Sequence, residues 1–155
     1  MATPFTWGPR GSAYALLTTQ LNSLASGSIC AAGPEIDNTT NAYQKGLLHL
    51  HIASNSLALV DGSVCNIYFF PSLNGATYPN FTSGATPRLA RTNYLVGTIA
   101  LFPGTVSAVP VDEYLFNVLI PDGKFKAALE YIGAGAGAWP ASGNTLDILP
   151  TPDQY

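Results

Sequence analysis

Charged residues are scarce in this sequence of 155 residues. Lys and Arg together number 6 and Asp and Glu number 9, so charged side chains make up 10% of the chain, while apolar ones reach 47%. A typical soluble domain has about 25% charged residues. A monomer with so few charges has little polar material to cover its surface. We therefore expect part of the apolar excess to be buried against partner proteins.

Several classes of ligand and location are disfavoured by what is missing. The formal net charge of −3 leaves no basic footprint, so we expect no nucleic-acid partner. No run of 18 or more apolar residues occurs, and we expect no membrane span. Residues 1–10 lack the charged start and the long apolar run of a secretory signal, which favours a protein that stays in the cytosol where it is made.

Signatures of catalysis and of metal binding are also missing. Cys30 and Cys65 are too few for a disulfide framework and are interpreted as buried, reduced thiols. No G-x-S-x-G, P-loop, HExxH or CxxC pattern is present. His49 and His51 would share one side of a strand, but two imidazoles make only half a zinc site; the alternative is a pair of surface or subunit-contact histidines. We expect no enzyme activity, no required metal and no cofactor.

Turn residues, by contrast, are abundant. The 15 Gly and 12 Pro recur at short intervals between runs rich in Val, Ile, Leu, Tyr and Phe, which is typical of short strands. A single short helix is predicted near residues 18–25, capped by Thr18 or Thr19. The predicted strands cover residues 43–52, 63–70, 94–101, 114–120, 125–132 and 145–149.

The segment 125–132 has two interpretations. Residues 124–132 contain good helix formers, but the tight Pro121-Asp122-Gly123 turn between two apolar runs favours a hairpin, and hence a strand. About seven or eight strands are expected in all. The sequence therefore predicts an all-β protein, a two-sheet antiparallel β-sandwich of jelly-roll or immunoglobulin-like type.

Strand alternation also predicts the core and the domain limits. The sandwich is expected to span residues 13–149, between an extended N-terminal arm at 1–12 and an extended tail at 150–155. The side chains on the inward faces of the predicted strands form the expected core: Leu48, Leu50, Ile52, Ile67, Phe69, Leu95, Ile99, Leu115, Leu119 and Leu129.

The arm carries large aromatic side chains without a periodic pattern. Burying such a side chain is worth about 1.5–3 kcal/mol, and prolines reduce the entropy lost when an arm becomes fixed on a partner. Phe5, Trp7 and Arg10 are therefore candidate partner-binding residues; the alternative is that Phe5 and Trp7 fold back on their own sandwich. Trp139, beside a Gly-rich loop, and Tyr155 in the tail are further candidates.

A sugar-binding module is the principal alternative function. Aromatic rings stack on the apolar faces of sugars, and five rings are candidates for such a platform: Tyr68, Tyr78, Phe81, Tyr94 and Trp139. The competing interpretation is that Tyr68, Tyr94 and Trp139 are core or rim residues.

Four segments, in their order and spacing, resemble small structural proteins encoded beside capsid and tail genes in tailed bacteriophages. They are LTTQLNSLA at 17–25, IDNTTN at 36–41, YFFPSLNG at 68–75 with Tyr78-Pro79, and ASGNTL at 141–146.

This resemblance implies a β-sandwich protein of the virion, made in the bacterial cytoplasm. It implies a head decoration (cement) protein that clamps neighbouring capsid subunits, with the major capsid protein and copies of itself as partners and a homo-oligomeric arrangement on the particle. A tail or baseplate adaptor is the alternative location. The family supplies no defined set of binding residues.

Overall fold

The computed structural model describes residues 12–53, 62–79, 93–102, 109–133 and 137–151. In these ranges the chain forms nine strands and one 3-10 turn, Thr19–Leu21. The strands are β1 (Tyr14–Leu17), β2 (Ser28–Ile29), β3 (Ile36–Asp37), β4 (Lys45–Ile52), β5 (Val64–Pro71), β6 (Leu95–Ala100), β7 (Val111–Leu119), β8 (Lys124–Ile132) and β9 (Thr145–Thr151). Of the predicted arm and tail, only residues 12, 150 and 151 fall in the described ranges, and the last two belong to β9.

The strands form two antiparallel sheets. The four-stranded sheet has the order β1-β9-β4-β7, and the five-stranded sheet has the order β2-β8-β5-β6 with β3 also paired to β8. β2 and β3 pair with opposite ends of β8, so they act as two halves of one interrupted strand.

The pairing follows a simple rule. The first strand pairs with the last (β1 with β9), the second with the next to last (β2 and β3 with β8), then β4 with β7 and β5 with β6. Rolling up such nested pairs gives a jelly roll. The predicted all-β sandwich is thus confirmed, with jelly-roll topology.

One apolar cluster lies between the two sheets. Seven of the expected core residues are buried in it: Leu48, Leu50, Ile52, Ile67, Phe69, Ile99 and Leu129. The rings of Phe69 and Phe125 have centroids 4.9 Å apart at its centre. Alternation predicted these faces correctly because β4, β5 and β8 run regularly where these residues lie.

Two expected core residues are exposed instead, and β-bulges explain both. Leu115 of β7 lies opposite Leu48 of β4, and Val118 lies opposite Gly46. β7 therefore takes three steps where β4 takes two, and this extra residue exchanges the inward and outward sides of β7 beyond it. Leu115 and Val118 then face inward and Leu119 is 66% exposed. In β6, Val96 is the extra residue, and Leu95 lies opposite Tyr68 with 43% exposure.

The helix predicted near residues 18–25 is wrong beyond the single 3-10 turn. The chain turns away at Ser23, which has a φ of 56° and donates its backbone N–H to Pro140. Ala25 then forms a β-bridge with Ala138. Thr18 makes no side-chain cap bond.

The segment 125–132 is a strand, as favoured, but it is not half of a hairpin. β7 pairs with β4 and β8 pairs with β5, so the turn at 121–123 carries the chain from one sheet to the other. No helix in the described part of the chain is long and apolar enough to cross a membrane.

Candidate interaction surface

The two outer faces of the sandwich differ in exposure. On the five-stranded sheet, the outward residues Tyr68, Phe70, Ala128 and Glu130 are buried. The Tyr68 hydroxyl donates to Glu130 Oε2 at 2.6 Å, and the Asn66 amide donates to the same oxygen at 3.1 Å. The centre of this face is therefore buried and internally bonded, while Thr98 and Ala100 of β6 on the same face are exposed.

The outer face of the four-stranded sheet is open. In β4 and β9 every second residue is buried, and the residues between them point outward. We call this surface the open face. Read across the sheet, its rows are Thr145, His51 and Asp112; Ala15, Asp147, His49 and Tyr114; Leu149, Leu47 and the bulge residue Phe116; and Thr151, Lys45 and Leu119.

A histidine–carboxylate cluster lies at one end of the open face. His49 Nε2 and His51 Nδ1 each lie 2.8 Å from the same oxygen, Asp112 Oδ1. With Asp112 ionised, each ring donates its N–H, which fixes the tautomer of both imidazoles. The hydrogen bond from His51 is the largest of the effects that lower the pKa of Asp112, and the bond from His49 adds to it. The Tyr114 ring stacks on His49 with centroids 4.7 Å apart.

The shared hydrogen bonds to Asp112 order both histidine rings. Across the described ranges, no group of three His, Cys, Asp or Glu side chains is arranged to hold a metal ion. Nearby, the Thr145 hydroxyl donates to Asp147 at 3.1 Å. The two histidines do lie on the solvent side of β4, as the alternation predicted, at about a third exposure each.

Neither thiol is suited to nucleophilic chemistry. Burial raises the pKa of Cys30 to about 11, and it raises the pKa of Cys65 further. The thiolate is the reactive form of cysteine, and burial suppresses it. Both cysteines are free and buried, which agrees with their interpretation as structural thiols.

The other part of the open face is apolar and reaches the edge of the sheet. Leu47 and Leu149 pair in its middle, and Phe116 and Leu119 of β7 are 70% and 66% exposed. β7 ends the order of the described four-stranded sheet, and β6 ends that of the five-stranded one.

These two edges approach closely at Gly97. A Cβ added there would lie 2.2 Å from Leu115 Cδ2, so a larger residue at this position would require the Leu115 side chain to shift. Exposed Leu95 lies two residues before this contact, and exposed Phe102 and Val109 follow β6 and precede β7. The apolar surface therefore continues from the open face around the β7 edge.

The predicted partner-binding residues lie elsewhere. Phe5, Trp7, Arg10 and Tyr155 are outside the described residues. Trp139 is 2% exposed and belongs to the core cluster. Its ring packs on Tyr131 with ring centroids 5.4 Å apart. Its indole N–H has no hydrogen-bond partner among the described residues. In the structure the Trp139 ring closes the sandwich. A partner contact through this ring stays a prediction.

The rings considered for a sugar platform are dispersed. Tyr68 is buried at the centre of the outer face of the five-stranded sheet, whereas Trp139 packs with inward-facing Tyr131. Tyr94 packs on Phe70 at 5.2 Å between centroids, and Tyr78 donates to Glu35 at 2.5 Å. Phe81 lies outside the described residues. The structure therefore does not bring Tyr68 and Trp139 into one exposed platform.

No protein-family model matches the chain, and no curated protein is significantly similar to it.

Proposed function

We propose that this chain is a non-enzymatic structural protein of a tailed-phage virion. It binds the capsid surface and cements neighbouring capsid subunits, with the major capsid protein and further copies of itself as partners. The observation that carries the proposal is the open face, where Phe116 and Leu119 are exposed beside half-buried Leu47 and Leu149.

Energetics support an assembly role. Burial of a large apolar side chain is worth about 1.5–3 kcal/mol, so exposed Phe116 and Leu119, with half-buried Leu47 and Leu149 beside them, favour association. The sequence has only 10% charged residues to keep such a surface solvated. On a particle that carries many copies, weak contacts of this kind add through multivalency.

The contacts divide between two parts of the chain in this proposal. Phe5, Trp7 and Arg10 of the predicted arm bind the capsid, while the open face meets a neighbouring protein. A tail or baseplate adaptor would use the same kinds of contact at another site on the particle, so position on the particle distinguishes the two roles.

Co-sedimentation with particles tests the proposal. Particles of the virus that encodes the chain are prepared without it and mixed with the purified protein. We expect the full chain to sediment with them, and a variant lacking residues 1–10 to remain in solution while melting within a few degrees of the full chain.

Two results would count against this division of contacts. A full chain that binds no part of the particle contradicts the virion role. A large fall in melting temperature on deletion contradicts the docking arm, because it means that Phe5 and Trp7 stabilise their own sandwich.

A further inference from the structure

The open face has charges of opposite sign at its two ends. Asp112 and Asp147 lie in the two rows at one end. Lys45 lies in the last row at the other end, beside Leu119 and Thr151. The two ends are roughly 20 Å apart, since residues 45 and 51 of β4 are separated by six steps of about 3.3 Å.

The lysine at the other end, Lys45, has no charged partner among the described residues. Within the described ranges, Lys124 pairs with Glu35 at 2.7 Å and Lys126 lies over the Tyr78 ring at 4.7 Å. Lys45 is exposed, and its ammonium group makes no ion pair or ring contact there. It is therefore available to a carboxylate from outside the protomer.

The carboxylate at the other end has a free oxygen. Both histidines bond to Asp112 Oδ1, so Oδ2 accepts no hydrogen bond from the described residues. The side chain is 44% exposed. Asp112 therefore retains one oxygen for a cation from another chain while the histidines hold its orientation.

The open face is negative at one end and positive at the other, so its charges are complementary to those of a second copy that lies in the opposite direction. A two-fold axis through the middle brings each end onto the opposite end of the second copy. We propose that the open face is covered by the open face of a second copy of this chain. Lys45 then pairs with Asp112 of the partner subunit, and the row of Leu47, Leu149 and Phe116 packs on the rings of the partner's His49 and the partner's Tyr114.

The contact is made by side chains and not by strand addition at the β7 edge. The bulge in β7 places Asn117 at a φ of 57° and interrupts the ladder that an added strand would extend. Bulges of this kind protect edges against pairing. Two sheets packed face to face bury alternate side chains from both, which is the arrangement the rows provide.

This inference rests on the proposed function only in naming copies of the chain as partners, and it is tested without particles. Sedimentation equilibrium of the purified full chain should give a dimer. The variants Lys45→Glu and Asp112→Lys should each weaken the dimer by roughly tenfold or more, because each places like charges at both ends of the contact. Lys126→Glu, on the other sheet, is the matched charge control and should dimerise normally.

Mixing the two variants is the decisive step. In a 1:1 heterodimer of Lys45→Glu with Asp112→Lys, both ends again carry opposite charges, so dimerisation should return. A wild-type chain that stays monomeric, or a mixture that does not recover, overturns the proposal.

A variant at an apolar position of the open face gives an independent test if Asp112→Lys fails to fold. Leu119→Asp should abolish the dimer while the monomer still unfolds cooperatively, whereas Leu73→Asp, at an equally exposed leucine off the face, should leave the dimer intact. If both variants leave the dimer intact, the interface is elsewhere.

Failure of this inference is distinguishable from failure of the proposed function. A monomeric wild-type chain that binds particles, and loses that binding in Leu119→Asp, assigns the open face to the capsid and overturns the self-association alone. A dimer that meets every expectation above but binds no particle supports the self-association and contradicts the virion role.

Discussion

At the residue scale, Asp112 orders two histidines through one carboxylate oxygen, and its other oxygen accepts no hydrogen bond from the described residues. Its pKa is lowered by the bonds from His51 and His49. A carboxylate with a depressed pKa in the folded state contributes stability above its unfolded pKa of about 3.9. That contribution is lost as the pH falls through the folded value.

The pH dependence of stability tests this role. Asp112→Asn should lower the free energy of unfolding at pH 7 by about 1 kcal/mol or less, because the pair is partly exposed. At pH 3 and below, the difference from the wild type should shrink, since protonation then removes the same charge from the native residue. Urea unfolding at both pH values measures it, with Glu113→Gln as the control on the same strand. A difference that grows on acidification would contradict the assignment.

Substitutions of buried residues and of exposed residues should differ clearly in their effect on the free energy of unfolding. Leu50 and Ile67 are fully buried, so Leu50→Ala and Ile67→Ala should each cost about 2–5 kcal/mol. Leu119→Ala should change stability by less than about 0.5 kcal/mol, because its side chain is largely exposed. Denaturant midpoints at fixed m-value report all three; equal losses at Leu119 and Leu50 would place Leu119 in the core.

The β7 bulge governs the open face at the scale of elements. It requires Asn117 at a φ of 57°, a left-handed conformation that Asn and Gly tolerate and β-branched residues do not. Without the extra residue, Leu119 would point inward and the apolar end of the face would lose its most exposed leucine.

Substitution at Asn117 tests this local geometry. Asn117→Gly should leave the melting temperature almost unchanged. Asn117→Val should destabilise the domain by about 1–3 kcal/mol, since the strain of a β-branched side chain in this region is of that size. Thermal unfolding of the two variants side by side is sufficient; equal melting temperatures would show that the bulge is not held in this conformation.

The length and regularity of each strand determine how well the sequence predicts it. Alternation predicted six strands and the inward faces of β4, β5 and β8, because those strands are long and regular there. β2 and β3 have two residues each and cannot show a period. The reversal at Asn117 and the extra residue at Val96 are invisible to alternation, so Leu119 and Leu95 were placed on the wrong side.

At the scale of the whole molecule, the two outer faces of the jelly roll differ. The Tyr68–Glu130–Asn66 bonds lie at the buried centre of the outer face of the five-stranded sheet, while the open face carries the apolar rows and the charged ends. Sequence composition indicated that apolar surface would be left over, but not where. Its location depends on which strand ends the four-stranded sheet, a property of topology that no single segment encodes.

The candidate site was predictable only in part for the same reason. His49 and His51 were expected on the solvent side, and they lie there. Their shared partner Asp112 belongs to another strand, 61 residues away from His51 along the chain. Their proximity follows from the pairing of β4 with β7, which sequence alternation does not specify.

A cryo-EM reconstruction of particles carrying this chain tests the central claim, an assembly role on the capsid, most directly. We expect jelly-roll density on the outside of the head that bridges neighbouring capsid subunits. This density should be absent from particles prepared without the chain. Reconstructions of heads that are identical with and without the chain would contradict it.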